Sequence, residues 1–346
     1  MIDWTTAQAT ANRLTPAGPD LTAAEVSDVV AELREAAQIA QQPVAEFTGL
    51  TPAHPAPVLI VGRARWTEAN LSSFTKLMVP FEEHLAAKGK LPTGNAKRVG
   101  EKLAGAEVGA LMAFLSRRVL GQFDPFWEGP EGPGRLLLVA PNIVHVERKL
   151  GVDPSDFRQW VCLHEETHRA QFSGGEWRPD YLFKLVSDLA EVAGAGSASP
   201  AELFGELLPD LLKVLRGEDD RSLSDLMSNP EQREIVARIT GLMSLLEGHA
   251  DVVMDDIGPD YVPSVENIRA KFDARRAAGT SLGKLLRRLM GFEAKMRQYR
   301  DGAVFVRNVT DQVGAEGFSA VWAEADHVPS AAEILEPDLW VKRVHG

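Results

Sequence analysis

The sequence predicts a mainly α fold with some β structure (α+β): a helical bundle around one central helix, with a small sheet. Three observations predict it. Long stretches at 21–42, 66–87, 99–120 and 229–258 either space apolar residues at helical intervals or are apolar nearly all round. Two short aliphatic runs, at 58–61 and 136–146, read as strands. Clusters of proline and glycine punctuate the intervals.

Residues 1–57 read as an N-terminal helical region and 58–346 as the domain that carries the site, the two packing as one unit. Thr5 to Leu14 is a short helix, closed by Pro16-Ala17-Gly18-Pro19. From Leu21 to Gln42, an apolar stripe of Val26, Val29, Val30, Leu33, Ala37 and Ala40 predicts a core-facing helix. Thr51 to Pro57 is a proline-rich connector, and Val58–Val61 a strand or buried extended segment. Trp66 to Ala87 is a helix, Lys88 to Lys97 a basic loop, and Val99 to Leu120 another helix. Gly121 to Gly134, rich in glycine and proline, reads as a loop pinned by Phe123, Phe126 and Trp127, with a cleft rim or lid as the alternative. Leu136 to Val146 reads as a strand broken at Pro141.

Asp153-Pro154 then supplies an N-cap and a first-turn proline, and Gly174-Gly175 ends the helix they open. Inside it lies His164-Glu165-Glu166-Thr167-His168, a His-Glu-x-x-His motif. Residues four apart share a helix face, so two imidazoles can hold one Zn²⁺. Glu165 can then take a proton from a water that the ion polarises. The competing reading is a solvated pair of histidines. The apolar run Phe157, Trp160 to Leu163 leads directly into His164 and favours a buried ring, which needs a partner.

Catalytic zinc usually has three protein ligands. A third histidine six residues after the second is excluded, because Gly174 stands there and Gln171 replaces the expected glycine. The other common solution is a glutamate from a second helix. Asn229-Pro230 opens such a helix, which runs toward Gly258-Pro259. Its apolar second half is interrupted by Glu247, His249 and Asp251. Glu247 is assigned as third ligand. Asp251, one turn on, is assigned to the outer ring nitrogen of a ligand histidine, His164 in preference. His249 lies about 200° around the axis from Glu247. It is read as a core histidine beside the site, with the alternative that it reaches the cleft from a bent helix.

After the central helix, the sequence expects a helix at Leu182–Val192, a flexible connector at 193–200, and helices at Leu203–Leu215 and Leu223–Met227 that could cover the cleft. Further helices are expected at Ile268–Arg276, Leu282–Tyr299 and Ala303–Val313, with Trp322 and Trp340 anchoring the tail.

The segments FRQWVCLHEETHRAQF, LMSLLEGHADVVMD and KMRQYRDGAVFV resemble an actinobacterial family of zincin-like metallopeptidases of the glutamate-zincin type. That family is often labelled as associated with coenzyme F420 biosynthesis. Ile2-Asp3-Trp4 and VAPNIVHVER at 139–148 also fit it. The resemblance implies a zincin-like fold and a zinc site on His164, Glu165, His168 and Glu247. It makes Asn142, Ile143 and Val144 a candidate strand edge for substrate, since a strand shortly before the metal helix often borders a zincin cleft. It ranks Tyr299, in the RQYRDG segment, first as oxyanion donor, with His249 next.

Composition bounds the function. The 346 residues are 45% hydrophobic and 25% charged, ordinary for a globular protein. A net charge of −12 argues against non-specific nucleic-acid or anionic-membrane binding. One cysteine rules out a disulfide framework. MIDWTTAQAT has no secretory pattern, so a soluble, cytoplasmic protein is expected. The expected activity is a zinc-dependent hydrolase, most simply a peptidase. The rivals are an inactive binding or regulatory protein on the same scaffold, and a small-molecule hydrolase linked to F420 metabolism.

Overall fold

Phe157 through Leu163 are buried without a break. A helix with no polar face there belongs at the centre of a bundle. In the computed structural model, which describes residues 2–87, 94–130, 132–194, 229–277 and 298–346, the other elements are arranged around this helix, α6 (Pro154–Ser173). Asp153 caps it, accepting from the Asp156 amide at 3.0 Å.

Five helices and three strands precede or flank it. They are α1 (Trp4–Leu14), α2 (Ala23–Thr48), β1 (Val58–Val61), α3 (Arg63–Ala87), α4 (Gly94–Leu115), β2 (Gly121–Gly129), β3 (Gly132–Val139) and α5 (Ala140–Leu150). After α6 come α7 (Trp177–Gly194), α8 (Pro230–Asp256), the single turn α9 (Gly258–Tyr261) and α10 (Val265–Ala277). Then follow α11 (Gln298–Ser319), α12 (Ala331–Leu335) and α13 (Pro337–His345). The fold is mainly helical with one small sheet, as the sequence predicts.

The sheet has the order β1-β3-β2, with β1 parallel and β2 antiparallel to β3. Side chains alternate across a strand, so β3 feeds two cores. Leu138 joins a core with Leu33, Ala37 and Ala40 of α2, Phe157 and Leu163 of α6, Leu245 and Leu246 of α8, and Phe305 of α11. Leu137 and Val139 face a second core with Ala7, Ala11, Trp66, Leu71, Ala104 and Val108. The sheet is thus the middle layer between α2 and α6 on one side and α1, α3 and α4 on the other.

Several expectations need correction. The run 136–146 is not one strand: β3 ends at Val139 and α5 starts at Ala140. Pro141 reads better as a first-turn helical proline than as a strand break, because its missing N–H has no partner to lose there. Asn142, Ile143 and Val144 are therefore buried helical residues and offer no strand edge. The Asn142 amide donates to the Ser116 and Val119 carbonyls at 2.7 and 2.6 Å and accepts from Arg63 Nε at 2.7 Å. The expected loop at 121–134 is the β2–β3 hairpin. Gly132 and Gly134 take φ of 122° and 83° at its turn, and Pro125 falls within the register break between Asp124 and Glu128, where it costs little ladder pairing. Helix α2 runs through Pro43 to Thr48 because Pro43 and Val44 are buried, while Val26, expected inward, is exposed. Helix α4 ends at Leu115, five residues early. Expected helices at 203–215, 223–227 and 282–297 lie outside the described residues.

Helices α8 and α11 cross backbone to backbone. A Cβ on Gly248 would sit 2.1 Å from the Gly302 carbonyl carbon, and one on Gly302 would sit 2.2 Å from the Ser244 carbonyl oxygen. Trp322 and Trp340 are buried, as expected of tail anchors. Among the described residues no helix is long and apolar enough to cross a membrane.

Asn142→Ala strands the Ser116 and Val119 carbonyls, at about 1–3 kcal/mol each. Urea unfolding should show a lower midpoint at unchanged slope. Gly248→Ala forces the α8–α11 crossing apart. Its thermal midpoint should fall, by about 3 kcal/mol of stability, the upper end of overpacking costs.

Candidate metal centre

His164 and His168 stand one turn apart on α6 and meet edge to face, with ring centroids 4.7 Å apart at 87°. Their Nε2 atoms are 3.2 Å apart. Helix α8 packs against α6 and brings Glu247 to the same point. Its Oε2 is 3.8 Å from His164 Nε2 and its Oε1 is 3.7 Å from His168 Nε2. One ligand atom from each residue lies within 4.8 Å of the others, the only such group of three or more among the described residues. All three side chains are partly exposed, so the cluster opens to solvent.

The arrangement fits a tetrahedral ion. Nitrogen and oxygen donors about 2.0–2.2 Å from one such ion are about 3.3–3.6 Å apart. The observed separations of 3.2, 3.7 and 3.8 Å bracket that value. Two neutral imidazoles and a carboxylate are also a donor set that zinc prefers.

Glu165 lies under edge strand β2. It is 7% exposed. Strand β2 passes so close that a Cβ on Gly121 would lie 2.4 Å from the Glu165 carboxyl carbon. Burial pushes the Glu165 carboxyl up to about 7; His168 pulls it down and Glu247 adds to the rise. The next residue, Glu166, is also buried but is neutralised by a two-pronged pair with Arg169 at 2.7 Å on both arms. Trp160, one turn before His164, stacks on the His164 ring and meets Phe272 of α10 at a tilt of 59°.

The remaining candidates fall as follows. Asp251 is half-buried one turn beyond Glu247, with its carboxylate 3.9 Å from the Arg269 guanidinium. His249 is a core histidine, 4% exposed, packed between Phe318 and Trp322, and does not open to the cleft. Burial, and then His168 and Arg178, press its pKa down to about 3, so the ring is neutral. Tyr299 belongs to the first turn of α11, and its side chain lies outside the described residues.

Two residues at the site were not singled out from sequence. One is Gly121, hidden in a stretch read as loop. The other is Gln171, fully buried on α6, whose side-chain oxygen is 2.9 Å from His168 Nδ1. Its amide nitrogen is 2.9 Å from the Leu246 carbonyl and 3.0 Å from His249 Nδ1. The available signal was its place three residues after His168, on the same face.

Among solved structures, a Chloroflexus aurantiacus protein, provisionally described as a hydrolase with a novel fold, has 29% identity to this chain. The two superpose with a TM-score of 0.70 over 99% of this chain and 98% of the other. No curated protein matches the sequence. The profile of the zincin-like metallopeptidases matches residues 2–341, a span that includes both histidines and Glu247. Membership suggests a zinc-dependent hydrolase and implies a metal, typically zinc. The chain therefore belongs to the zincin-like metallopeptidase family.

Proposed function

We propose that the protein is a zinc-dependent peptidase. His164, His168 and Glu247 hold the ion, and Glu165 serves as general base and then general acid. The observation that carries this reading is the convergence of three donor atoms from two helices, with a buried carboxylate beside them. Bound zinc supplies Lewis acidity, which acidifies water toward neutrality and polarises a carbonyl.

The chain's own groups do the rest. Glu165, held away from bulk water, takes a proton from the attacking water as the new C–O bond forms. It delivers that proton to the departing amine as the C–N bond breaks. Its burial against β2 keeps one carboxylate beside the donor cluster for both transfers. Edge strand β2, not residues 142–144, borders Glu165. An extended peptide laid along β2 would present its carbonyl carbon to the water that Glu165 deprotonates. Asp251 takes the outer nitrogen of His164, and Tyr299 is the proposed oxyanion donor. His249 is released from that second role by its burial in the core.

Glu165→Gln should retain zinc and lose hydrolysis of a mixed peptide library by about 10²–10⁴-fold. Unchanged cleavage by this variant would refute the mechanism. Metal analysis of the purified protein should find about one zinc per chain, and much less in Glu247→Ala. A Glu247→Ala protein with full zinc would place the third ligand elsewhere.

A further inference from the structure

We propose that Gln171 is the positioning residue of the metal site: its amide holds His168 in the Nδ1–H tautomer and ties the Glu247 helix to the histidine helix. The inference rests on the reading of His164, His168 and Glu247 as metal ligands.

The hydrogen-bond chemistry leaves one solution. A glutamine amide can be placed either way round, and its neighbours decide which. The Leu246 carbonyl, 2.9 Å away, can only accept, so it must face the NH₂ group. His249 Nδ1, 3.0 Å from the same nitrogen, takes the second hydrogen and must carry a lone pair. The amide oxygen is then left for His168 Nδ1 at 2.9 Å, and that nitrogen must donate. His168 Nε2 is consequently unprotonated. Its lone pair faces His164 Nε2 at 3.2 Å and Glu247. The other tautomer would set two acceptors against each other across the Gln171–His168 contact and aim an N–H into the donor cluster.

The same side chain sets the helix register. Leu246 directly precedes Glu247, so the bond from α6 to its carbonyl fixes the height of Glu247 against His168. Gln171 is itself clamped. Its main-chain carbonyl accepts from Arg178 at 2.6 Å, and Arg178 also donates to the Trp322 carbonyl at 3.1 Å. The His249 ring that anchors the amide is held by Phe318 and Trp322, with centroids 5.7 and 5.1 Å away. A glutamine needed only for packing would not require this direction in every bond.

The test uses the full chain, metal-free and labelled with ¹⁵N-histidine. Two-bond nitrogen–proton correlations separate the tautomers. Wild type should show His168 as Nδ1–H and His249 as Nε2–H. Gln171→Met should release His168 toward the Nε2–H form and weaken zinc binding about 10- to 100-fold in chelator competition. Gln171→Glu, which keeps an acceptor for His168, should retain the Nδ1–H form. A wild-type His168 found as Nε2–H overturns the proposal, and needs no variant to fold. So does a folded Gln171→Met protein with wild-type tautomer and zinc affinity. A wild type that binds no zinc yet shows Nδ1–H would remove the functional reading and leave the tautomer assignment standing. Zinc binding with an Nε2–H His168 would do the reverse.

Discussion

A helix buried over most of its length must find a partner for each charge it hides, and α6 hides many. Leaving an ionised group unpaired in such a place costs several kcal/mol. Arg158 is matched by Glu147 at 2.7 Å and by Glu32, and Glu166 by Arg169. His168 is matched by Gln171 on its outer nitrogen. What faces the opening is Nε2 of His164 and of His168, with Glu247 opposite. The metal centre is the part of the helix where two ring nitrogens and a carboxylate from a second helix converge at a partly exposed point.

The rest of the fold serves that helix. The sheet separates its core from a second helical core and lends β2 as the wall above Glu165. Helix α8 delivers Glu247, and its angle depends on the bare contact between Gly248 and Gly302. The sequence Glu247-Gly248 therefore joins two requirements in adjacent residues: a donor toward α6 and a missing side chain toward α11. Polar cross-links far from the cleft fix the layers. Asp124, buried in β2, is held by Arg135 at 2.9 Å and by Ser73 at 2.7 Å.

What could be read from sequence was local. Asp153-Pro154 and Asn229-Pro230 mark helix starts because capping is a matter of a few neighbouring atoms. His164, His168 and Glu247 stood out because ionisable residues in apolar helices are expensive, and the structure brings the three together. The misreadings were decided by distant partners. Around Pro141, strand and helix are both acceptable locally; Asn142 selects the helix by bonding to Ser116, Val119 and Arg63, which lie far off in sequence. The hairpin was obscured by its glycines and Pro125, which look like loop until β3 pairs with them. Gln171 drew notice only as a departure from a histidine-rich pattern, because its value depends on a carbonyl and a ring in α8.

The bracing of the site by late residues has a consequence for synthesis. His164 and His168 leave the ribosome well before Glu247, and the Phe318 and Trp322 rings that steady His249 come later still. A nascent chain shorter than 247 residues has the two histidines of the site without Glu247. One shorter than about 320 residues lacks the aromatic brace behind Gln171. The donor set is thus completed by the last third of the chain, and an unfinished polypeptide carries the motif without the machinery.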